Sequence, residues 1–142
     1  MAFEGLLIQV DEIIHNSIQQ YKEEILGNSR YSAVTASQLY YLEAVSAMSN
    51  PTLSKLATCL KITKSSASIA IRKLIENGFL VKLRSSQDKR YYYFSLSDKG
   101  EALIKAEKRA LSNFASSIKN SLTEAEIEMI EAIFVKIINK YR

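Results

Sequence analysis

The sequence contains few residues that crosslink a chain or interrupt a helix. Its 142 residues include one cysteine, one histidine, one proline, four glycines and no tryptophan. The single cysteine, Cys59, excludes an internal disulfide, and one cysteine with one histidine, His15, cannot form a Cys/His zinc cluster. We therefore expect neither a metal ion nor another cofactor.

Membrane and secretion signals are missing as well. No apolar run approaches the roughly 20 residues that span a bilayer. The first residues include Glu4, Asp11 and Glu12 but no early lysine or arginine, which is the wrong charge for a signal peptide. The sequence therefore predicts a cytoplasmic protein with no membrane partner.

The reactive side chains do not form a catalytic pattern. Covalent or acid–base chemistry needs a nucleophile and a base together, whereas His15 is far from Cys59 in sequence and no glycine-rich phosphate loop occurs. We expect a protein that is not an enzyme. Cys59 is expected to be buried or merely structural, because a redox switch needs an exposed and reactive thiol.

Apolar residues spaced three and four positions apart predict six helices in a single domain. The first ends at Gly27-Asn28, and threonines are the expected N-caps of four others. The helices are predicted over residues 3–26, from Thr35, over 53–60, from Thr63 to Asn77, from Ser97 or Asp98, and from Thr123 onward.

The fourth of these helices has two different faces. Ala67, Ala70, Ile71 and Leu74 form an apolar stripe, whereas another face is small, polar and basic, with Lys64, Ser65, Ser68 and Arg72. Such a helix is expected to pack on a core with one side and to rest in a groove with the other.

Two strand-like runs follow, joined by a polar loop over residues 85–90. In the first run Val81 and Leu83 alternate with Lys82 and Arg84, and residues 91–96 alternate similarly. Each pattern predicts a strand with one buried face. A helix pair followed by a basic hairpin is the sequence form of a winged helix-turn-helix. The predicted fold is therefore mainly α with a small β-wing.

Charge is concentrated in the same region. Residues 55–90, the basic segment, hold nine Lys or Arg and two acidic residues, a net of +7, and the rest of the chain has a net of −3. A basic patch on one module is typical of proteins that bind a polyanion. A solvated basic face without a partner is the alternative.

The helices at both ends of the chain have wider apolar faces than a compact winged helix can cover. Burial against a second copy is their expected use, which would place two recognition helices on one side of a symmetric dimer. The alternative is that these helices pack only on their own winged helix.

Several short motifs together resemble the MarR family of transcription regulators. They are Leu53-Ser-Lys-Leu-Ala57, Ile62-Thr-Lys-Ser-Ser-Ala-Ser68, Leu74-Ile-Glu-Asn-Gly-Phe-Leu80, Asp88-Lys-Arg90 and Leu96-Ser-Asp-Lys-Gly100. The resemblance covers nearly the whole chain. It implies a single domain over residues 1–142, with dimerisation helices at 1–34 and 101–142 and a DNA-binding winged helix-turn-helix at 35–100. It also implies a homodimer on a pseudo-palindromic operator, usually a repressor that a small ligand or an oxidant releases.

The same resemblance assigns contacts with double-stranded DNA. Ser65, Ser66, Ser68 and Arg72 match positions that face the major groove, and Arg90 matches a wing arginine at the minor groove. Asp88 would orient Arg90; the alternative is an exposed ion pair without a role. Phosphate contacts are expected from Lys64, Lys82, Arg84 and Lys89.

Ligand sensing is less specified by the sequence. Family pockets usually lie between the dimerisation helices and the winged helix, and the candidates there are His15, Tyr21, Tyr40, Tyr41 and Arg109, although aromatic residues at helical spacing are more often core. Three alternatives stay open: DNA binding without an effector, a redox response through Cys59, and a winged helix used to bind a protein.

Overall fold

The computed structural model describes residues 2–27 and 34–142, and in this part of the chain it has six helices and two strands. They are α1 (Phe3–Leu26), α2 (Ala36–Ala47), α3 (Leu53–Leu60), α4 (Lys64–Glu76), β1 (Leu80–Arg84), β2 (Tyr92–Leu96), α5 (Asp98–Lys119) and α6 (Glu124–Tyr141). The predicted mainly helical fold with a small β-wing is confirmed. Asn28, predicted to end the first helix with Gly27, lies outside the described residues.

Threonine side chains begin four of the helices, as predicted. Thr35 and Thr123 form complete capping boxes: each hydroxyl accepts a hydrogen bond from the backbone amide three residues on, and the side chain of that residue accepts one from the threonine amide. The hydroxyl groups of Thr52 and Thr63 cap α3 and α4. Each cap satisfies an amide that has no partner inside its helix.

A three-residue turn joins α3 to α4. Lys61 has a left-handed backbone, with φ of 56°, and its amide donates to the carbonyl of Thr58 at 3.2 Å. The next amide, of Ile62, donates to the carbonyl of Ala57 at 3.0 Å. These bonds close the end of α3 and let α4 start at once in a new direction.

The described residues divide into two compact units, of which residues 23–108 form the winged-helix unit. It contains α2, α3, α4, the hairpin and the first half of α5. Its core is a single apolar cluster drawn from all of these elements: Leu42, Val45, Leu56, Ile71, Leu74, Phe79, Leu80, Phe94, Leu103 and Ile104.

The antiparallel hairpin differs from the prediction in the face that β1 turns inward. Leu80 is buried and lies opposite Leu96, so by alternation Lys82 and Arg84 share its face. Val81 and Leu83 lie on the other face and are 38% and 41% exposed. The expectation that these two aliphatic residues form the buried side of the strand is wrong, because the alternation is set by Leu80.

Cys59 is exposed. Of the two expected alternatives, a buried or a merely structural cysteine, the first is therefore wrong. On α3 the buried residues are Leu56 and Ala57. At 3.6 residues per turn, a residue three positions after Leu56 and two after Ala57 lies outside the face that those two define.

The second compact unit, the helical unit, comprises residues 2–22 and 109–142. On α5, Ala110 and Phe114 are buried, whereas Ile118, one turn after Phe114, is 40% exposed. Neither α1 nor α6 has a buried residue. No helix in the two described stretches is long and apolar enough to cross a membrane.

Gly100, in the first turn of α5, has no room for a side chain. A Cβ at this position would overlap the carbonyl oxygen of Phe79 and crowd the side chain of Leu96. We predict that Gly100→Ala lowers the free energy of unfolding by about 1–3 kcal/mol, because the backbone of α5 must move away. Urea denaturation measures the free energy of unfolding of the variant. The control is Lys105→Ala, a change at an exposed position of the same helix, which should alter stability by less than about 0.5 kcal/mol. Equal stability of the two variants would contradict the close approach.

Candidate nucleic-acid interface

The outward face of α4 is fixed by the residues that this helix buries. Ala67, Ile71 and Leu74 are at most 2% exposed and hold the other side of the helix on the core. All five α4 residues predicted to contact DNA are exposed: Lys64, Ser65, Ser66, Ser68 and Arg72. The structure therefore places them on the solvent side of a helix whose other side is packed on the core.

The start of α4 combines a cap with a positive charge. The backbone amide of Ser66 donates to the Thr63 hydroxyl at 3.1 Å, and that hydroxyl donates to the hydroxyl of Ser66 at 3.0 Å. Lys64 stands exposed in the same turn. A helix N-terminus carries partial positive charge, so this end of α4 favours an anion such as a phosphate group.

At the root of the wing, two cations share one aromatic ring. Lys82 Nζ lies 4.4 Å and Arg84 Cζ 5.2 Å from the centre of the Tyr92 ring. Arg84 Nη2 also donates to the Tyr92 hydroxyl at 2.7 Å. Because Arg84 and Tyr92 are directly opposite in the ladder, the ring holds both cations on one face of the hairpin.

The tip of the wing is closed by a two-residue ion pair. The guanidinium of Arg90 donates to both carboxylate oxygens of Asp88, with Nη2 at 2.8 Å and Nε at 3.0 Å, and the Arg90 amide donates to the same carboxylate at 3.1 Å. The Asp88 amide in turn donates to the Ser85 hydroxyl at 3.3 Å. The Arg90 side chain remains 82% exposed, so it is oriented but still accessible.

These bonds change the acidity of both partners. Hydrogen bonds from the side chain and then the backbone of Arg90 hold the pKa of Asp88 below its ordinary value of 3.8, and the carboxylate raises the pKa of Arg90. Both groups are therefore charged at neutral pH.

An open groove of about 530 Å³ lies between the start of α3 and the hairpin. Lys82 and Arg90 line it from the hairpin, and Thr52, Ser54 and Lys55 line it from α3. The groove thus brings two predicted contact residues together with three that were not assigned a contact. Lys55 belongs to the basic segment, so its charge was the signal available in the sequence.

The candidate ligand residues are divided between the two units. His15, Tyr21 and Arg109 belong to the helical unit, and Tyr40 and Tyr41 belong to the winged-helix unit. Tyr41 packs against the core, whereas Tyr40 is 58% exposed.

A second groove, of about 560 Å³, lies between the end of α2, β2 and the start of α5. Met48, Ile104, Lys105 and Lys108 are among the residues that line it. None of the five candidate ligand residues lines either groove. Within residues 2–27 and 34–142, no group of three or more His, Cys, Asp or Glu side chains could hold a metal ion.

A helix pair, a basic hairpin and an outward polar helix face define the class of winged-helix proteins. Solved structures with the same fold include FabT from Streptococcus pneumoniae in complex with DNA, with a TM-score of 0.76 and 18% identity over 99% of this chain and 97% of that one. MepR from S. aureus, bound to ethidium bromide, has a TM-score of 0.75 and 19% identity over 100% of this chain and 98% of that one.

The sequence comparisons give the family. The model of the MarR family of transcriptional regulators matches residues 34–92 of this chain. The HTH-type transcriptional regulator BilQ from Clostridioides difficile (strain CD3) is 24% identical over 97 residues, 68% of this chain and 66% of the relative. The chain thus spans just under two thirds of that curated relative. The predicted resemblance is confirmed, and with it the expectation of a regulator rather than an enzyme.

The Asp88–Arg90 pair generates a prediction about acidity. In the native protein the Asp88 carboxyl should titrate below 3.8, and in Arg90→Lys, which keeps the charge but loses the fork of donors, it should titrate closer to that value. Because the folded pKa is the lower one, the pair stabilises the wing above the ordinary pKa and loses that effect as pH falls through the folded value. An NMR titration that follows the chemical shift of the Asp88 carboxyl carbon measures this pKa in both proteins. Identical titration of Asp88 in the two proteins would exclude the Arg90 guanidinium as the cause of the lowered pKa.

Proposed function

We propose that this chain is a homodimeric regulator that binds a specific pseudo-palindromic operator in double-stranded DNA and represses transcription until a small ligand releases it. The observation that carries the proposal is the basic, polar face of α4 turned away from the core, in the same unit as a wing whose arginine is oriented and exposed. Chromosomal DNA as the target places the proposed action in the cytoplasm.

On α4, the proposal assigns base contacts to residues from the first turn to the middle of the helix. Arg72 can pair with guanine through two hydrogen bonds, and the hydroxyls of Ser65, Ser66 and Ser68 can contact bases or phosphates. Lys64, at the positive end of the helix, contacts phosphate.

The wing supplies the second set of contacts. Arg90 reaches the minor groove, and Asp88 keeps its guanidinium oriented before DNA arrives, which lowers the entropy lost on binding. Lys82, Arg84 and Lys89 contact phosphates. The complex of FabT with DNA, a structure of the same fold, supports DNA as the partner in this proposal.

The homodimer is supported by the helices of the helical unit. A helix without a buried side chain gains little stability from its own chain, because most helical stability in proteins comes from packing an apolar face. Both α1 and α6 expose a series of large apolar residues: Phe3, Leu6, Leu7, Ile8, Val10 and Ile13, and Met129, Ile133, Phe134, Val135, Ile137, Ile138 and Tyr141. A second copy covers these residues in the proposal, with residues 1–34 and 101–142 as the dimerisation region and 35–100 as the DNA-binding region.

The proposal also includes a small ligand that releases the protein from DNA. The complex of MepR with ethidium bromide, a structure of the same fold, supports the binding of a small ligand. The candidates for ligand contact remain His15, Tyr21, Tyr40, Tyr41 and Arg109. The exposure of Cys59 meets one requirement of the alternative, a redox response.

Fluorescence anisotropy tests the operator proposal. The protein is titrated into the duplex upstream of its own coding sequence and into a scrambled duplex of equal length, across a salt series. We expect tight binding to the native duplex alone, at one dimer per site. Arg90→Ala should weaken that binding by at least about tenfold. It should also flatten the log–log salt slope by about 1.8, which is about 0.9 for each of the two arginines of the dimer that neutralises a phosphate. Arg142→Ala, which removes one charge outside the wing, is the matched control.

Two outcomes would contradict the proposal in different places. Equal, steeply salt-dependent binding to native and scrambled duplexes would leave a non-specific DNA-binding protein at that locus. Unchanged affinity of Arg90→Ala at matched salt would remove the wing from the interface.

The dimer has a separate test on α6. Replacing Phe134 by glutamate places a charge on the exposed apolar face, and burying it in an interface is strongly unfavourable. We expect the native protein to sediment at twice the chain mass of 16.0 kDa and the variant at a mass near that of one chain. Lys136→Glu, a charge change at an exposed polar site on the same helix, should sediment as the native protein does. A dimeric Phe134→Glu variant would place the interface elsewhere.

A further inference from the structure

The polar face of α4 has an aliphatic side chain near its centre. Ile69 is 49% exposed. It lies two residues from both Ala67 and Ile71, which are buried, and two helical steps turn a side chain by about 200°. Ile69 therefore lies on the side of the helix opposite to the core.

The neighbours of Ile69 on the helix surface are polar or charged. Residues three and four positions apart are adjacent on a helix, so Ile69 has Ser65 on one side and Arg72 and Lys73 on the other, all exposed. Among the described residues, the set that forms or packs against the core cluster includes Ile75 of the same helix but not Ile69.

We infer that Ile69 reads part of the operator sequence by contacting the C5 methyl group of a thymine in the major groove. This inference rests on the proposed function, in which Ser65 and Arg72 reach base edges. A side chain between them reaches the same edges, and there the thymine methyl is the apolar group available to it. A phosphate oxygen would offer Ile69 no favourable contact.

The surrounding charge favours DNA over an apolar protein partner. Lys64, Arg72 and Lys73 lie on α4 around Ile69, and no acidic residue occurs in the helix before Glu76 at its end. An apolar protein partner would have to desolvate these cations, whereas the phosphates beside the groove pair with them.

Replacement of thymine by deoxyuridine removes only the methyl group and tests the inference. An operator is first selected from a randomised duplex library with the native protein, and each thymine of the selected site is then replaced in turn. We expect replacement at one position of each half-site to weaken native binding by about fourfold per half-site, the value of one buried methyl group. Replacement at the other thymines should have little effect.

Variants of α4 assign the effect to Ile69. Ile69→Ala should bind the thymine and uracil duplexes equally, and Ile69→Val should show a reduced difference. Ser68→Ala is the matched control. It should weaken binding to the thymine and uracil duplexes by the same factor and so keep the ratio of the two affinities unchanged. Because Ile69 is outside the core, the variants should keep the native circular dichroism and Tm.

The possible failures are distinguishable. Selection of no preferred sequence would overturn both the operator proposal and this inference. A selected operator bound equally with thymine or uracil at every position would overturn the inference and leave the operator proposal standing. A methyl effect that persists in Ile69→Ala would assign the contact to another residue.

Discussion

The packing of one side of α4 on the core determines which side chains the other side exposes to solvent. Ala67, Ile71 and Leu74 insert among residues from α2, α3 and the hairpin, so the helix cannot rotate without opening the core. This constraint fixes which serines, cations and aliphatic residue meet solvent together. The proposed DNA interface is therefore a consequence of core packing, and the polar face need not contribute to stability.

The wing is held by a different kind of interaction. Beyond Leu80, β1 has no buried residue, and the strand carries its cations on the inward face. Contacts of Lys82 and Arg84 with the Tyr92 ring organise the root, and the Asp88–Arg90 pair closes the tip. Each leaves a cation accessible while restricting its orientation, as a preformed binding surface requires.

The helices were predictable because their signals are local. Threonine caps and apolar spacing of three and four residues depend on neighbours in sequence, and the observed starts of α2, α3 and α4 agree with them. The inward face of β1 was not predictable in the same way. Either of the two alternating sets of side chains in a strand can face a core, and only the buried position of Leu80 decides between them. Ile69 was assigned to neither face of α4, because the two faces were described by an apolar stripe and by polar or basic residues, and an aliphatic residue outside the stripe fits neither description.

Because an exposed ion pair closes the wing tip, ionic strength acts on the shape of the wing itself. An apolar tip would keep its shape in salt, but the attraction between exposed charges weakens as the Debye length shortens, to about 3 Å at 1 M. Concentrated salt therefore loosens the geometry of the loop that presents Arg90, besides competing for any bound polyanion. Affinity would then respond to salt through the shape of the free protein as well as through released counterions.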